Sequence, residues 1–292
     1  MKRFHYIRCF AIALCVLFVT VGGYTRIEAS KFFMPEAGQA GKDVIWEPTP
    51  PELVNAMLDM AQVTASDYLI DLGSGDGRLV IAAAKRGATA LGIEYNPDMV
   101  EFARRAAGKA GVNARASFKK ADLFESDFSQ ATVITMFLLT EINLMLKPKI
   151  LDMKPGTRIV SNSFDMGDWL PDQTTTLEES SSDWKTAHLW IVPAQVNGTW
   201  KLDNGQISFV QEYQHITGIL SIRDTTKSDG EITTQLSGKL DGDAISFTAG
   251  TTQYTGTVSG NTISGTRAGG GFWKATRYGN AAMLNPRLPM RR

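Results

Sequence analysis

A glycine-rich turn caught between two apolar runs constrains this chain more than any other feature. Tyr68-Leu-Ile70 leads into Asp71-Leu-Gly-Ser-Gly-Asp-Gly-Arg78, and Leu79-Val-Ile-Ala-Ala-Ala84 follows. The pattern predicts a strand, a tight turn and a helix. Gly73, Gly75 and Gly77 allow the backbone to bend sharply and let a ligand approach the peptide groups. The helix behind them offers free N–H groups and the positive end of its dipole. Such a turn suits a nucleotide-like ligand, and its spacing selects which one. Dinucleotide turns read G-x-G-x-x-G. Here the spacing is G-x-G-x-G, with Asp71 two residues before the first glycine. A carboxylate there suits a cationic group better than a diphosphate, which disfavours a nicotinamide cofactor.

Two more acids follow at strand ends. Ala90-Leu-Gly-Ile93 predicts a second strand, closed by Glu94 and Tyr95. Glu94 lies 19 positions past Gly75, near the offset at which an acidic side chain meets ribose hydroxyls. Asn96-Pro97-Asp98 supplies a helix N-cap, a proline at the first helical position and an acid in the first turn. A third strand over 116–119 runs into Lys120-Ala-Asp122-Leu123. Singly, Glu94 and Asp122 also read as plain loop carboxylates. Three acids in order at three successive strand ends point to one site.

The first motif resembles that of class I S-adenosylmethionine (SAM) methyltransferases. The resemblance implies SAM as cofactor. It places the turn of Gly73, Ser74, Gly75 and Gly77 against the methionine part and Asp71 at its amino group. It places Glu94 and Tyr95 near the ribose, Asp122 at the adenine amino group and Leu123 on the ring. Residues 44–192, with Val44-Ile-Trp-Glu-Pro-Thr-Pro50 and Gly92-Ile-Glu-Tyr-Asn-Pro97, are similar to a family of small lysine methyltransferases. Its eukaryotic members carry an N-terminal hydrophobic targeting segment and modify mitochondrial membrane proteins. A protein substrate, with membrane proteins among the candidates, is what that likeness implies.

Acceptor chemistry is expected after the fourth strand. Many amino-group methyltransferases place Asn or Asp, then Pro-Pro and an aromatic, at that point. This chain has Thr135-Met-Phe-Leu-Leu-Thr-Glu-Ile-Asn143 instead, which argues against a nucleic-acid base or a glutamine amide as acceptor. Glu141 and Asn143 are the candidates to orient an amine or take its proton, and Phe137 to pack on its methylene stem. The residues alone equally allow a first-turn acid, a capping Thr140 and a core Phe. Trp46 is a candidate wall, with Asp165 and Asp168 as second-rank acids.

Strands and helices alternate from 68 to 163, which predicts an α/β fold with a parallel sheet covered on both faces. Two further strands, 174–178 and 187–192, are joined as a hairpin. Together they match the Rossmann-like seven-stranded sheet that the methyltransferase resemblance implies. Before it, Thr49 is the expected N-cap of a helix with Pro50 at its first position. From Val196 helical periodicity stops and short alternating runs appear, punctuated by Asn204-Gly205, Asp229-Gly230, Asp241-Gly242 and Ser259-Gly260. Ser237–Ser246 repeats as Thr255–Ser264 at an offset of 18 residues. A small antiparallel all-β meander or barrel follows from this, with Trp200 and Trp273 closing the two ends of its core. The expected organisation is a signal or anchor over 1–29, a linker over 30–44, the SAM-binding domain over 45–194, the β-domain over 195–280 and a tail over 281–292.

Thirty basic and thirty acidic residues give a formal net charge of zero, and no basic run marks a nucleic-acid partner. The three histidines are scattered, and both cysteines, Cys9 and Cys15, fall near the start, so no metal cluster or disulfide framework is expected. Lys2, Arg3 and Arg8 flank an apolar run over 9–21, shorter than the ~20 residues of a typical membrane span. It reads as a secretory signal cleaved after Ala29 or as an uncleaved anchor, with membrane contact through this segment. Both put the body on the periplasmic side. SAM is made in the cytoplasm, so export sits against catalysis. The rival reading is a non-catalytic exported binding protein that keeps the fold and binds through its β-domain.

Overall fold

A computed structural model describes residues 33–224 and 230–278. The expected signal or anchor, both cysteines and the expected tail over 281–292 lie outside the described residues. The chain opens with a ribbon of β1 (Gln39–Ala40) and β2 (Ile45–Trp46), followed by α1 (Pro51–Met60). Then come β3 (Tyr68–Leu72), α2 (Arg78–Lys85), β4 (Thr89–Glu94), α3 (Pro97–Lys109) and β5 (Ala116–Lys120). The second half of the sheet is β6 (Val133–Met136), α4 (Thr140–Leu151), β7 (Arg158–Asn162), β8 (Gln173–Thr176) and β9 (Thr186–Ile191).

These strands form one seven-stranded sheet in the order β5-β4-β3-β6-β7-β9-β8. β3, β4, β5, β6 and β7 are parallel, and β9 runs antiparallel to both of its neighbours. The order reverses at β3, so a crevice opens beyond its carboxyl end, where open α/β sheets bind ligands. The near-continuous burial of β3, β6 and β7 follows from helices on both faces. Local chemistry sets the helix ends. Asn96 accepts from the Asp98 N–H at 2.9 Å with Pro97 next, and Gly111, at φ +72°, stops the helix after Ala110.

Thr49 is not the cap of α1. The boundary residue is Pro50, with no side-chain cap, and Thr49 is buried with its hydroxyl 3.3 Å from Asn162 Nδ2. Tertiary pairing has outbid the local capping bond. Likewise Leu139, not Thr140, is the boundary residue of α4. Residues 39–46, inside and beside the expected linker, fold back as the ribbon.

The second half is a closed barrel: β10 (Gly198–Leu202), β11 (Gly205–Glu212), β12 (His215–Asp224), β13 (Gly230–Asp241), β14 (Ala244–Ala249), β15 (Thr252–Ser259), β16 (Thr262–Arg267) and β17 (Phe272–Arg277). Each strand pairs with the next, and β10 with β17 closes the ring, which removes exposed edges. The repeated segments are the β13–β14 and β15–β16 hairpins. In both, a glycine lies against the carbonyl of the facing strand, Gly238 at Ser246 and Gly256 at Ser264, where a Cβ would stand 2.0 and 2.7 Å from the oxygen. The barrel core is its own, from Ala194 to Ala275. Trp200 lies opposite Arg277 at one end of β17, and Trp273 near the other.

Barrel and sheet meet at a specific junction. Trp169 is fully buried, its Nε1–H donates to Gln214 Oε1 at 3.1 Å, and its ring stacks on Tyr213 at 5.7 Å. Asp168 belongs to this junction: Lys147 pairs with it and reaches the Tyr213 hydroxyl.

Candidate functional site

The glycine loop is built by three left-handed residues, Gly73, Gly75 and Gly77, at φ +74°, +51° and +81°. The N–H groups of Gly73 and Ser74 both donate to Ile93 O, at 2.9 and 3.0 Å, so the turn is sewn to the end of β4. Gly75 N–H donates to Glu94 Oε2 at 3.0 Å, and Asn96 N–H to Glu94 Oε1 at 2.8 Å. These bonds hold the carboxylate at the strand end and leave each oxygen a second lone pair. A Cβ on Gly75 would stand 2.2 Å from Trp46 Nε1, so the indole presses on the loop. Gly77 is tight for another reason: Phe118 and Ala103 leave no room for a Cβ.

Asp71 is 3 % exposed at the end of β3. Burial pushes its carboxyl up to about 7, and the negative charges of Asp76 and Glu94 add to this. A hydrogen bond from Thr135 works the other way. Such an acid is ionised most readily when a cation comes to it. Asp76 is bridged to Arg78 at 2.6 Å, and Arg78 also donates to Thr49 O at 2.7 Å, tying the loop to the segment before α1.

Asp122 accepts from Lys42 Nζ at 2.7 Å and from Phe124 N–H at 2.9 Å, and Lys42 holds its carboxyl below the usual range. The ammonium lies over the rings of Tyr95, at 5.3 Å, and Phe124, at 5.7 Å. The ribbon thus reaches across the strand ends. A cavity of about 980 Å³, counting its open mouth, lies between them. Asp71, Gly73, Ser74, Glu94, Tyr95, Asp122 and Leu123 all line it. Gly75 and Gly77 are not among the lining residues. Ser74 Oγ is buried with no hydrogen-bond partner among the described residues.

The acceptor-side expectations divide. Phe137 lines the cavity. Asn143 does not: it is fully buried, and its carboxamide nitrogen donates to Phe164 O at 3.2 Å and Asp165 O at 3.1 Å. It pins the loop after β7. Glu141 is exposed in the first turn of α4 and lies outside the cavity lining. Trp46 lines the cavity, but against Gly75. Lys42, Arg78 and Thr135 escaped the sequence reading. Only Arg78 carried a local sign, an opposite charge two residues away on Asp76. Among the described residues no group of three or more His, Cys, Asp or Glu could hold a metal ion.

The strand order, the glycine loop and the row of strand-end acids define a class I methyltransferase fold. A sequence profile of the ANTKMT methyltransferase domain matches residues 71–173. A protein-lysine N-methyltransferase of Saccharolobus islandicus is 43 % identical over 152 residues, covering 51 % of this chain and 94 % of that protein. The adenine nucleotide translocase lysine N-methyltransferase of the mouse (Mus musculus) is 35 % identical over 105 residues, 35 % of this chain and 46 % of its own length. A solved RNA methyltransferase from Salinibacter ruber, in complex with S-adenosylhomocysteine, is 45 % identical, covering 51 % of this chain and 96 % of that one, with a TM-score of 0.49. The chain belongs to the protein-lysine N-methyltransferase family.

Proposed function

We propose that this protein transfers the methyl group of SAM to the ε-amine of a lysine in a protein. The observation that carries this is the meeting of Asp71, Glu94 and Asp122, from three successive strands, on one cavity beside the glycine loop. The residues fit the cofactor. Asp71 offers a buried carboxylate for an ammonium, and Glu94 keeps free lone pairs for two hydroxyls. Leu123 and Tyr95 supply apolar surface for a flat ring. SAM supplies an activated methyl group on a sulfonium.

What remains for the chain is alignment of the acceptor amine, with Phe137 beside the cavity. The lysine must arrive or become neutral, which a desolvated pocket favours. Glu141 and Asn143 lie outside the cavity lining, and no general base is assigned to the chain. The acceptor is proposed to be a membrane-associated protein, by analogy with the relative named for the adenine nucleotide translocase. The basic flank and apolar run at the N-terminus support export or anchoring of the body.

Calorimetric titration of the purified chain with S-adenosylhomocysteine and NAD, followed by methyl transfer to membrane-fraction proteins and to total RNA, tests this. The expected result is binding of the first ligand only and label in protein lysine. Binding of NAD alone would sink the cofactor assignment. Label in RNA alone would sink the acceptor, and cofactor binding with no transfer to either would favour the exported binding protein.

A further inference from the structure

Beside the cavity stand three aromatic rings that neither core of the sheet uses. Phe137 follows β6, Phe164 follows β7, and Trp184 lies in the turn between β8 and β9. Their ring centroids are 6.0 Å apart for Phe137–Phe164, 5.4 Å for Phe137–Trp184 and 5.7 Å for Phe164–Trp184. All three are half-buried, and none belongs to the two hydrophobic clusters that flank the sheet. Aromatic surface left partly exposed beside a pocket calls for an occupant.

The backbone is bent to put them there. Ser163, between β7 and Phe164, sits at φ +61°, a conformation that residues other than glycine seldom adopt. It is held from both sides. Ser163 N–H donates to Thr186 O at 2.8 Å, and buried Asn143 grips the carbonyls of Phe164 and Asp165. Asn143 Oδ1 is itself buried without a partner among the described residues. A strained residue and an orphaned acceptor at one loop are tolerated where the loop's position matters.

The spacing decides what the rings can hold. Centroids at 5.4–6.0 Å mean that the rings touch one another, so no ammonium fits between them. They make a wall and not a cage. What lies on a wall of this kind is an apolar stem. The turn that carries Trp184 also carries exposed Glu178, Glu179 and Asp183 against one cation, Lys185, and its net negative charge attracts a cationic segment. On the reading that this cavity binds SAM, we infer that Phe137, Phe164 and Trp184 form the acceptor track, along which the four-carbon stem of lysine lies with its amine directed to the cavity. Phe164 and Trp184 are then positioning residues that select for stem length.

Steady-state methylation of poly-L-lysine and poly-L-ornithine by the full chain tests this, since the two polymers share their charge and differ by one methylene per side chain. Binding of S-adenosylhomocysteine and thermal melting are measured alongside. The wild type should favour lysine by about fourfold, the worth of one buried methylene. Trp184→Ala and Phe164→Ala should raise KM for poly-lysine about tenfold and flatten the preference, with cofactor affinity held within about twofold. Trp184→Leu and Phe164→Leu should recover most of the KM, because an apolar wall suffices. Alanine variants with unchanged KM and preference would overturn the track. So would leucine variants as poor as alanine, which would mean recognition of the charge by the ring faces. A wild type that binds S-adenosylhomocysteine but neither binds nor methylates poly-lysine would also overturn it. Failure to bind S-adenosylhomocysteine at all would instead sink the cofactor reading, and the track with it.

Discussion

Thr135 Oγ1 donates to Asp71 Oδ1 across 2.6 Å, from the facing position on the neighbouring parallel strand. This is the hydrogen bond to set against the full burial of that carboxylate. It does not prevail: the carboxyl is pushed up to about 7, with burial as the largest cause. Free protein therefore keeps a proton on Asp71 between about pH 4 and 7 that the unfolded chain has lost. Stability from this group falls as pH rises through that window and is level above it.

Cofactor affinity should run the other way. Holding an amino cation needs the ionised carboxylate, so binding of S-adenosylhomocysteine should strengthen by up to about tenfold per unit up to pH 7 and then level off. Asp71→Asn should abolish detectable binding while melting no lower than the wild type at pH 8. Titrations at pH 6, 7 and 8 check this. A flat profile would show that Asp71 does not meet the cation.

Gly75→Ala should cost far more than a surface alanine. Its Cβ, at φ +51°, would run into the Trp46 indole at 2.2 Å. Cofactor affinity should fall by about tenfold or more, since either the loop or the indole must move. Trp46→Ala in the same chain should return part of it, as expected for residues in contact. Additive losses would mean that the clash is not the cause.

The Lys42–Asp122 pair is exposed, so Lys42→Ala should leave the melting temperature essentially unchanged. Asp122→Ala should weaken S-adenosylhomocysteine by about tenfold, as loss of a charged acceptor for the adenine amino group predicts. Lys42→Ala should not weaken it. Equal losses in both variants would make the ion pair itself, and not Asp122, the binding element.

The barrel has its own core but also serves the sheet. Gln214→Ala should destabilise the protein by about 1–3 kcal/mol, because the buried Trp169 Nε1–H loses its acceptor. Ending the chain after Pro193 should lower the melting temperature for the same reason. It should hold cofactor affinity within about threefold, since among the described residues no cavity residue lies beyond Ile142. Loss of the cofactor on truncation would make sheet and barrel one cooperative unit.

Alkaline phosphatase fused after residue 60 should be active, because the basic flank of Lys2, Arg3 and Arg8 is expected to stay in the cytoplasm while the body crosses. An inactive fusion, with an active cytoplasmic reporter at the same junction, would reverse the topology and remove the separation from the SAM supply.

The parts of this protein legible in the chain are those whose cause is local. Gly73, Gly75 and Gly77 announce a turn because only glycine enters left-handed backbone freely, and Glu94 and Asp122 stand at strand ends that apolar runs delimit. The barrel hairpins are written in Asn-Gly and Asp-Gly pairs and in an 18-residue repeat. Asn143 and Thr49 show the limit. Each carries a side chain suited to a local or catalytic role, and each is drawn inward by a partner far along the chain. Thr135 facing Asp71, Trp46 on Gly75, Lys42 on Asp122, Gln214 under Trp169 and the closure of β10 on β17 depend on register and on packing across the sheet. Residues tens of positions apart meet only after the chain has buried its apolar faces. The sequence by itself therefore determined which segments turn, which alternate and where the acids fall. The tertiary structure alone decided which side chains share a cavity, because that depends on distances no local pattern encodes.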